Sequence, residues 1–333
     1  MSASVSLPVA GQLRDRQGRA ITYLRLSVTD RCNFRCSYCS PAHWGGTKDL
    51  LTPAELERIV TVFARIGTRR VRLTGGEPLM RPDLLEIGRR VSKVPGIEKV
   101  ALTTNASRLA GAAEELVAAG ITQLNVSLDT LREDRFRKVS PKGDLSAVLA
   151  GIEAGAKAGF GSLKLNVVVM KGVNDDELPD LVRYAHRLGY TPRFIELMPF
   201  GPNAMEGRIG HQEVLDRLAQ GGLELTPDLS APLKDAGPAR YYTCETGNVG
   251  LVSPLSGNFC AGCNRVRISA KGALRACLGG RGEVPLGERM RAGVDDATLE
   301  QEIRQALWLK EDGHQFGNPE RDEQLLTMMG IGG

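Results

Sequence analysis

Three cysteines near the N-terminus, Cys32, Cys36 and Cys39, are the residues whose type and spacing most directly indicate chemistry. They follow a C-x3-C-x2-C pattern, and soft thiolates at such spacing bind zinc or an iron–sulfur cluster. A closed structural zinc site has four protein ligands, and His43 is the candidate for the fourth. In a four-iron cluster, three cysteines leave one iron with an open coordination position, as a catalytic site requires. Spacing alone leaves both interpretations open.

A second set of three cysteines lies in the last third of the chain, with a C-x2-C-x13-C pattern: Cys260, Cys263 and Cys277. The alternatives here are a zinc site with Cys244 as fourth ligand, or a second cluster. Arg265 and Arg267 follow Cys263 and share one parity of a predicted strand, which would bring two guanidinium groups beside the metal. Guanidinium groups suit phosphate, whereas the alternative for these arginines is a solvated surface.

The sequence patterns around these residues predict strands and helices that alternate along the chain. Strands are predicted at 23–29, 71–74, 99–104, 123–128, 163–170 and 193–197. Helices are predicted at 52–66, 82–93, 109–119, 144–158, 176–188, 211–218, 296–309 and 320–329. The first helix begins with a capping box formed by Thr52 as N-cap and Glu55, with Pro53 between them. Six consecutive βα-type units predict a parallel sheet with right-handed crossovers, and they are fewer than the eight of a full barrel. We therefore expect an open, curved partial barrel.

Side chains alternate between polar and apolar along these strands. The residues at alternate positions of a strand form two sets, called here the apolar parity and the polar parity. The apolar parity, which includes Leu24, Leu26 and Val28, should face the helices. The polar parity comprises Arg25, Ser27 and Thr29; Arg72 and Thr74; Thr103 and Asn105; Asn125, Ser127 and Asp129; Lys164 and Asn166; and Glu196. Because buried unpaired charge is costly, we expect this parity to line an interior pocket for a polar, anionic ligand. The alternative is a half-exposed antiparallel sheet whose polar face meets water.

Length and composition limit the classes of protein. The chain has 333 residues, 42% hydrophobic and 25% charged, with a formal net charge of +4. These values are ordinary for a globular protein and too mild to predict a nucleic-acid partner. No apolar run is long enough to span a membrane, and the first residues do not resemble a signal peptide. We therefore expect the seven cysteines to lie in the reducing cytoplasm, where thiols bind metals or do chemistry.

The motif Cys32-x3-Cys36-x-Tyr38-Cys39, with Gly75-Gly76-Glu77-Pro78 after the second strand, resembles the radical S-adenosylmethionine (SAM) superfamily. The resemblance implies an α/β fold: a partial (βα)6 TIM-like barrel of the radical SAM type at 14–235 and a smaller C-terminal α+β domain at 236–333. It implies that the first three cysteines hold a [4Fe–4S] cluster whose open iron chelates SAM. One electron then cleaves SAM to a 5′-deoxyadenosyl radical. By the same resemblance, SAM is contacted by Tyr38, Gly76, Ser127 and Met198.

The second cysteine set, the arginines after it and the terminal Gly332-Gly333 are similar to one branch of that superfamily, the GTP 3′,8-cyclases of molybdenum cofactor biosynthesis. This implies that the radical removes hydrogen from C3′ of the GTP ribose and that the C3′ radical adds to guanine C8. Cys260, Cys263 and Cys277 would hold a second [4Fe–4S] cluster. GTP binding is implied for Arg25, Arg72, Thr103, Lys164, Arg265 and Arg267, the last two also as catalytic residues. Arg25, Arg72 and Lys164 are also the interior cations expected from strand parity.

The resemblance also implies partners. These are an electron donor such as flavodoxin or ferredoxin, a downstream cyclic pyranopterin monophosphate synthase, and a monomeric or homodimeric state. The Gly332-Gly333 tail is expected to enter the active site. Ser40 to His43 depart from the family pattern, in which a methionine often precedes the proline. Two other functions remain as alternatives: a radical enzyme that acts on a peptide, and a zinc-stabilised binding protein without catalysis.

Overall fold

The computed structural model describes residues 11–39, 46–199, 207–228, 237–280, 282–314 and 316. The strands are β1 Tyr23–Thr29, β2 Arg70–Gly75, β3 Lys99–Thr104, β4 Gln123–Ser127, β5 Ser162–Val169, β6 Thr191–Glu196, β7 Thr226–Pro227, β8 Arg240–Cys244, β9 Gly247–Val252, β10 Arg265–Ile268, β11 Ala273–Arg275 and β12 Val284–Pro285. The helices are α1 Pro53–Arg65, α2 Leu84–Ser92, α3 Ala113–Ala118, α4 Glu133–Val139, α5 Leu145–Lys157, α6 Leu178–Arg187, α7 His211–Gln220, α8 Leu286–Arg291 and α9 Asp296–Trp308.

The first six strands lie side by side in chain order, and each pairs in parallel with the next. Helices occupy the connections between them, as a parallel sheet requires. The predicted open partial barrel of six βα units is therefore confirmed, and the half-exposed antiparallel sheet is wrong. No helix in the described part of the chain is both long and apolar enough to cross a membrane.

Strands from the last third of the chain extend this sheet at both edges. Strand β10 pairs in parallel with β1, and β9 pairs in parallel with β6. Strands β11 and β12 continue the sheet in antiparallel pairing beyond β10, and β8 and β7 do so beyond β9. The result is one sheet in the order β12-β11-β10-β1-β2-β3-β4-β5-β6-β9-β8-β7. The predicted boundary between 235 and 236 lies outside the described residues and stays a prediction.

Alternate side chains of β1 face the helices on one side of the sheet and an interior cavity on the other. Leu24, Leu26 and Val28 are fully buried in the main hydrophobic core, which the helices cover. Arg25, of the other parity, lines an interior cavity. The capping box of α1 is present, because Thr52 Oγ1 accepts from Glu55 N–H at 3.2 Å and the Glu55 carboxylate accepts from Thr52 N–H at 2.7 Å.

Some local predictions need correction. The third helix begins at Ala113 rather than at 109, because Leu109 and Ala112 donate their N–H groups to turns instead. Helices α4 and α8 and strands β7–β9, β11 and β12 were not predicted. The two helices have seven and six residues, and β7, β11 and β12 have two or three, which is too short for a clear periodic pattern. The predicted helix at 320–329, the terminal Gly332-Gly333 and the segment Ser40 to His43 lie outside the described residues.

Candidate active site

One interior cavity of about 340 Å³ brings together the residues singled out in the sequence. Its lining includes Arg25, Cys32, Cys36, Tyr38, Cys39, Arg72, Gly76, Thr103, Ser127, Lys164, Met198, Cys260, Cys263, Arg265, Arg267 and Cys277. Both cysteine sets, called here the first triad (Cys32, Cys36, Cys39) and the second triad (Cys260, Cys263, Cys277), thus face the same space.

The first triad lies in the loop that follows β1. Arg35 Nη1 fixes this loop by donating to the carbonyls of Cys32 at 2.7 Å and Phe34 at 2.8 Å. The backbone N–H of Gly76 donates to the Thr29 carbonyl at 2.8 Å from the loop after β2. A Cβ atom on Gly76 would lie 2.2 Å from the Arg31 carbonyl oxygen, so only glycine permits this close approach.

Burial determines the protonation of the first triad. It raises the pKa of Cys32 to about 11 and that of Cys36 to about 12, and it also raises the pKa of Cys39. Because metals bind thiolates, a bound cationic centre is what would hold these three sulfurs deprotonated. Among the described residues, no three His, Cys, Asp or Glu side chains converge closely enough to hold a single metal ion. Three cysteines that line one cavity fit a cluster in which each cysteine binds its own iron.

The proposed SAM contacts surround the first triad at the C-terminal end of the strands. Tyr38 donates its hydroxyl to Asp129 Oδ2 at 2.7 Å, and Val168 N–H donates to Asp129 Oδ1 at 2.8 Å. Burial raises the pKa of Asp129 to about 6. Ser127 ends β4 and Met198 follows β6, so both reach the same end of the cavity. The role of Asp129 in orienting Tyr38 was not predicted, although its parity had placed it on the inner face.

The second triad lies at the opposite end of the cavity. Cys263 comes two residues before Arg265, which is paired with Tyr23, the first residue of β1, whereas Cys32 follows the last residue of that strand. Strand β1 has seven residues, so the two ends are separated by about 20 Å at 3.3 Å per residue. Cys260 and Cys277 lie on the turns next to the same end, before β10 and after β11. An elongated ligand between the triads therefore meets one at each end.

Two cations lie against one cysteine of the second triad. Arg265 Nη2 is 3.6 Å from Cys263 Sγ, and Lys310 Nζ is 3.7 Å from it. Burial alone would raise the pKa of Cys263, but Arg265 and Lys310 outweigh it and lower the pKa to about 6. Cys244 does not line the cavity; it is buried on β8 and donates to the Gly247 carbonyl at 3.2 Å. The alternative in which Cys244 completes a zinc site is therefore wrong.

A row of arginines crosses the cavity wall between the triads. The register places Arg267 of β10 beside Arg25 of β1, and Arg25 beside Arg72 of β2. Burial, followed by the charges of Arg267 and Arg72, lowers the pKa of Arg25 well below its usual range. On β5, burial and then Arg193 lower the pKa of Lys164 to about 7. Neighbouring cations of this kind favour the binding of a multiply charged anion.

The wall carries further cations that sequence reasoning missed. Arg70, Lys99 and Arg193 also line the cavity, and the carboxylates among its described lining residues are Glu77 and Asp129. The prediction that Glu196 faces inward is wrong, because it accepts from Arg208 and from the N–H groups of Leu255 and Ser256 outside the cavity. Arg193 faces inward instead, and counting the parity of β6 from Thr191 would have found it.

Comparison with known proteins agrees with this geometry. The family model described as the radical SAM superfamily matches residues 26–185, and the one described as Molybdenum Cofactor Synthesis C matches residues 190–316. The GTP 3′,8-cyclase of Rhodopseudomonas palustris strain TIE-1 is 44% identical over 325 residues, which cover 95% of this chain and 94% of that protein. The GTP 3′,8-cyclase of Rhizobium etli strain CIAT 652 is 44% identical over 309 residues, covering 91% and 88%.

A solved structure with the same fold is that of Streptococcus suis SuiB bound to S-adenosylmethionine. It aligns with a TM-score of 0.62 over 86% of this chain and 69% of that chain. The sequences are 15% identical, so the likeness concerns the fold alone. The fold, the cavity and the relatives are thus consistent with one another.

Proposed function

The chain belongs to the GTP 3′,8-cyclase family of the radical SAM superfamily, and we propose that it binds GTP across the cavity, between the two triads. The reaction of this family converts GTP to (8S)-3′,8-cyclo-7,8-dihydroguanosine 5′-triphosphate, the first step of molybdenum cofactor biosynthesis. Membership of the superfamily implies a [4Fe–4S] cluster and SAM. The proposal concerns which residues of this chain hold each group.

We assign the first cluster to Cys32, Cys36 and Cys39. When bound, this cluster and SAM supply the one-electron chemistry that removes a hydrogen atom from the ribose C3′. Tyr38, with its hydroxyl held by Asp129, is assigned to SAM together with Gly76, Ser127 and Met198. The support for this assignment is that all four line the cavity at the end where the first triad lies.

We assign the triphosphate to the cations of the cavity wall. The observation that carries the proposal is the row Arg267–Arg25–Arg72, three arginines in register on neighbouring strands, which lies between the triads at the two ends of those strands. Guanidinium groups bind phosphate oxygens in pairs, and a triphosphate carries negative charge that suits several neighbouring arginines. Thr103 and Lys164 add a hydroxyl and an ammonium from β3 and β5. Binding there leaves the ribose facing the first triad and the guanine facing the second.

Arg265 and Arg267 are assigned catalytic roles beside the guanine. Cys260, Cys263 and Cys277 would hold the second cluster, with its open iron toward the purine. Arg265 Nη2 lies 3.6 Å from Cys263 Sγ, and its guanidinium stacks 4.9 Å from the Phe259 ring centroid. Two fixed cations at that end would stabilise negative charge that develops on the base as C8 is attacked and reduced.

Further partners belong to the same proposal. A low-potential electron carrier such as flavodoxin or ferredoxin would supply electrons, and a cyclic pyranopterin monophosphate synthase would consume the product. A reducing cytoplasm fits the seven cysteines of the chain, all free where the structure describes them.

Anaerobic reconstitution with iron and sulfide tests the proposal. We expect a brown protein with about eight irons per chain, two cubane clusters, that consumes GTP and SAM in the presence of a reductant. Colourless protein containing zinc would favour a binding module and contradict the proposal. Turnover of a peptide with no consumption of GTP would assign the cavity to a different radical reaction.

A further inference from the structure

Lys310 is a buried cation beside the second triad that the sequence analysis did not single out. Lys310 lies just after α9 and is only 2% exposed. Its Nζ atom donates to the Arg265 carbonyl at 2.5 Å and lies 3.7 Å from Cys263 Sγ. Removing an ammonium group from water costs several kcal/mol unless opposite charge and hydrogen bonds offset it. A lysine at this depth therefore needs a nearby anion.

The anion available to Lys310 is the second triad itself. Within the described ranges, no carboxylate forms an ion pair with Lys310, and its polar contacts there are the Arg265 carbonyl and the Cys263 sulfur. The buried ammonium is thus matched to thiolates, the form in which cysteine binds metal.

The position of Lys310 is fixed by neighbouring backbone. Arg19 donates to the carbonyls of Glu311 at 2.7 Å, Asp312 at 3.0 Å and Cys260 at 2.9 Å. Asp15 holds Arg19 in turn through a 2.5 Å ion pair, and both are buried. The segment that follows Lys310 is therefore tied to the turn that carries Cys260. The ammonium meets the second triad in a built arrangement rather than at the end of a freely moving side chain.

The first triad has different hydrogen-bond donors. Phe34 N–H lies 3.4 Å from Cys32 Sγ, and the Ser140 hydroxyl lies 2.9 Å from Cys36 Sγ. Both of these hydrogen-bond partners are neutral, whereas Lys310 and Arg265 beside Cys263 are cationic. Hydrogen bonds to sulfur and local charge are among the main determinants of the reduction potential of an iron–sulfur cluster. The two ends of the cavity therefore provide unlike electrostatic surroundings.

We propose that Lys310 is a positioning residue for the second cluster: it donates a hydrogen bond to the Cys263 thiolate and raises that cluster's reduction potential. This inference rests on the proposed assignment of a second cluster. A fixed positive charge at a ligating sulfur stabilises the more negative, reduced cluster, so the equilibrium shifts toward reduction. The effect should fall mainly on the second triad, because Lys310 contacts Cys263 and the first triad lies at the other end of β1, about 20 Å away.

Potentiometric titration followed by electron paramagnetic resonance tests this inference on the reconstituted full-length protein. Signals of the two clusters are assigned with a Cys263→Ser protein, which lacks a ligand of the second. We expect Lys310→Met to lower the equilibrium constant for reduction of the second cluster at least tenfold, which is about 59 mV for one electron. The first cluster should not change, and Lys310→Arg should restore most of the shift. Lys271→Met, at an exposed lysine, is the matched control.

The outcomes separate this inference from the proposed function. A wild-type protein with a single cluster would contradict the second-cluster assignment itself. A wild-type protein with two clusters, together with an unchanged potential in Lys310→Met, would overturn the role of Lys310. If Lys310→Met loses the second cluster, the Lys310→Arg protein separates two explanations. A second cluster retained in Lys310→Arg supports a requirement for positive charge at this position. Loss of that cluster in both variants shows that Lys310 acts through packing alone and overturns its proposed role.

Discussion

Replacing Arg25 by methionine should weaken GTP binding without removing either cluster. Arg25 lies on β1 between Arg267 and Arg72, one strand spacing of about 4.8 Å from each. A pair of unit charges 4 Å apart is worth about 4 kcal/mol at an effective dielectric constant of 20. Truncating one partner of a buried charge pair typically costs about 2–5 kcal/mol of binding free energy. Because the flanking arginines stay in place, we expect the loss of GTP-binding free energy to lie near the lower end of this range. About 2 kcal/mol corresponds to a Kd raised about 30-fold.

Two measurements check this magnitude. Anaerobic calorimetry gives the Kd for GTP directly. At a GTP concentration 100 times the wild-type Kd, binding should add about 2.7 kcal/mol to the stability of the wild-type protein and about 0.9 kcal/mol to that of the variant. Arg89→Met, at an exposed arginine on α2, should change neither value. An Arg25→Met protein whose affinity stays within threefold of wild type would refute the placement of the triphosphate on this row.

Three further changes test other parts of the site. Cys263→Ser should leave SAM cleavage intact, abolish GTP cyclisation and halve the iron to about four per chain; equal loss of both activities would contradict the division between the triads. Arg19→Met should lower the free energy of unfolding in urea by about 3–5 kcal/mol, because it leaves buried Asp15 without its partner; a loss below about 1 kcal/mol would show that the pair contributes little. Gly76→Ala should reduce iron at the first triad, since its Cβ would lie 2.2 Å from the Arg31 carbonyl; full iron content would show that this loop can move aside.

Local signals predicted the parts of the fold that local physics determines. The bounds of β1 and β3 are those of the predicted strands, because alternating polar and apolar residues have a period of two that only an extended chain satisfies. The capping box of α1 is a contact between residues three apart, so the sequence contains all of it. The same parity identified Arg25, Arg72 and Lys164 as interior cations, and each of them lines the cavity.

Features that depend on distant pairing could not be predicted. The spacing of Cys260 and Cys263 does not say that β10 lies beside β1, and only that pairing sets the second triad at the opposite end of the cavity. Lys310 is an ordinary lysine in the sequence, and its contact with Cys263 spans 47 positions of the chain. Glu196 was misplaced because it was assigned from its own polarity, whereas the strand begins at Thr191 and its inward residues are Arg193 and Ile195.

The pairing of β9 with β6 and of β10 with β1 has a consequence for any attempt to divide this chain. A fragment ending before 236 would have bare backbone N–H and C=O groups along both outer strands of its barrel, and such edges recruit strands from other molecules. The C-terminal segment therefore covers both edges of the barrel sheet, in addition to contributing the second triad. We expect the isolated N-terminal fragment to self-associate, and the two parts to melt in one cooperative transition when they are joined.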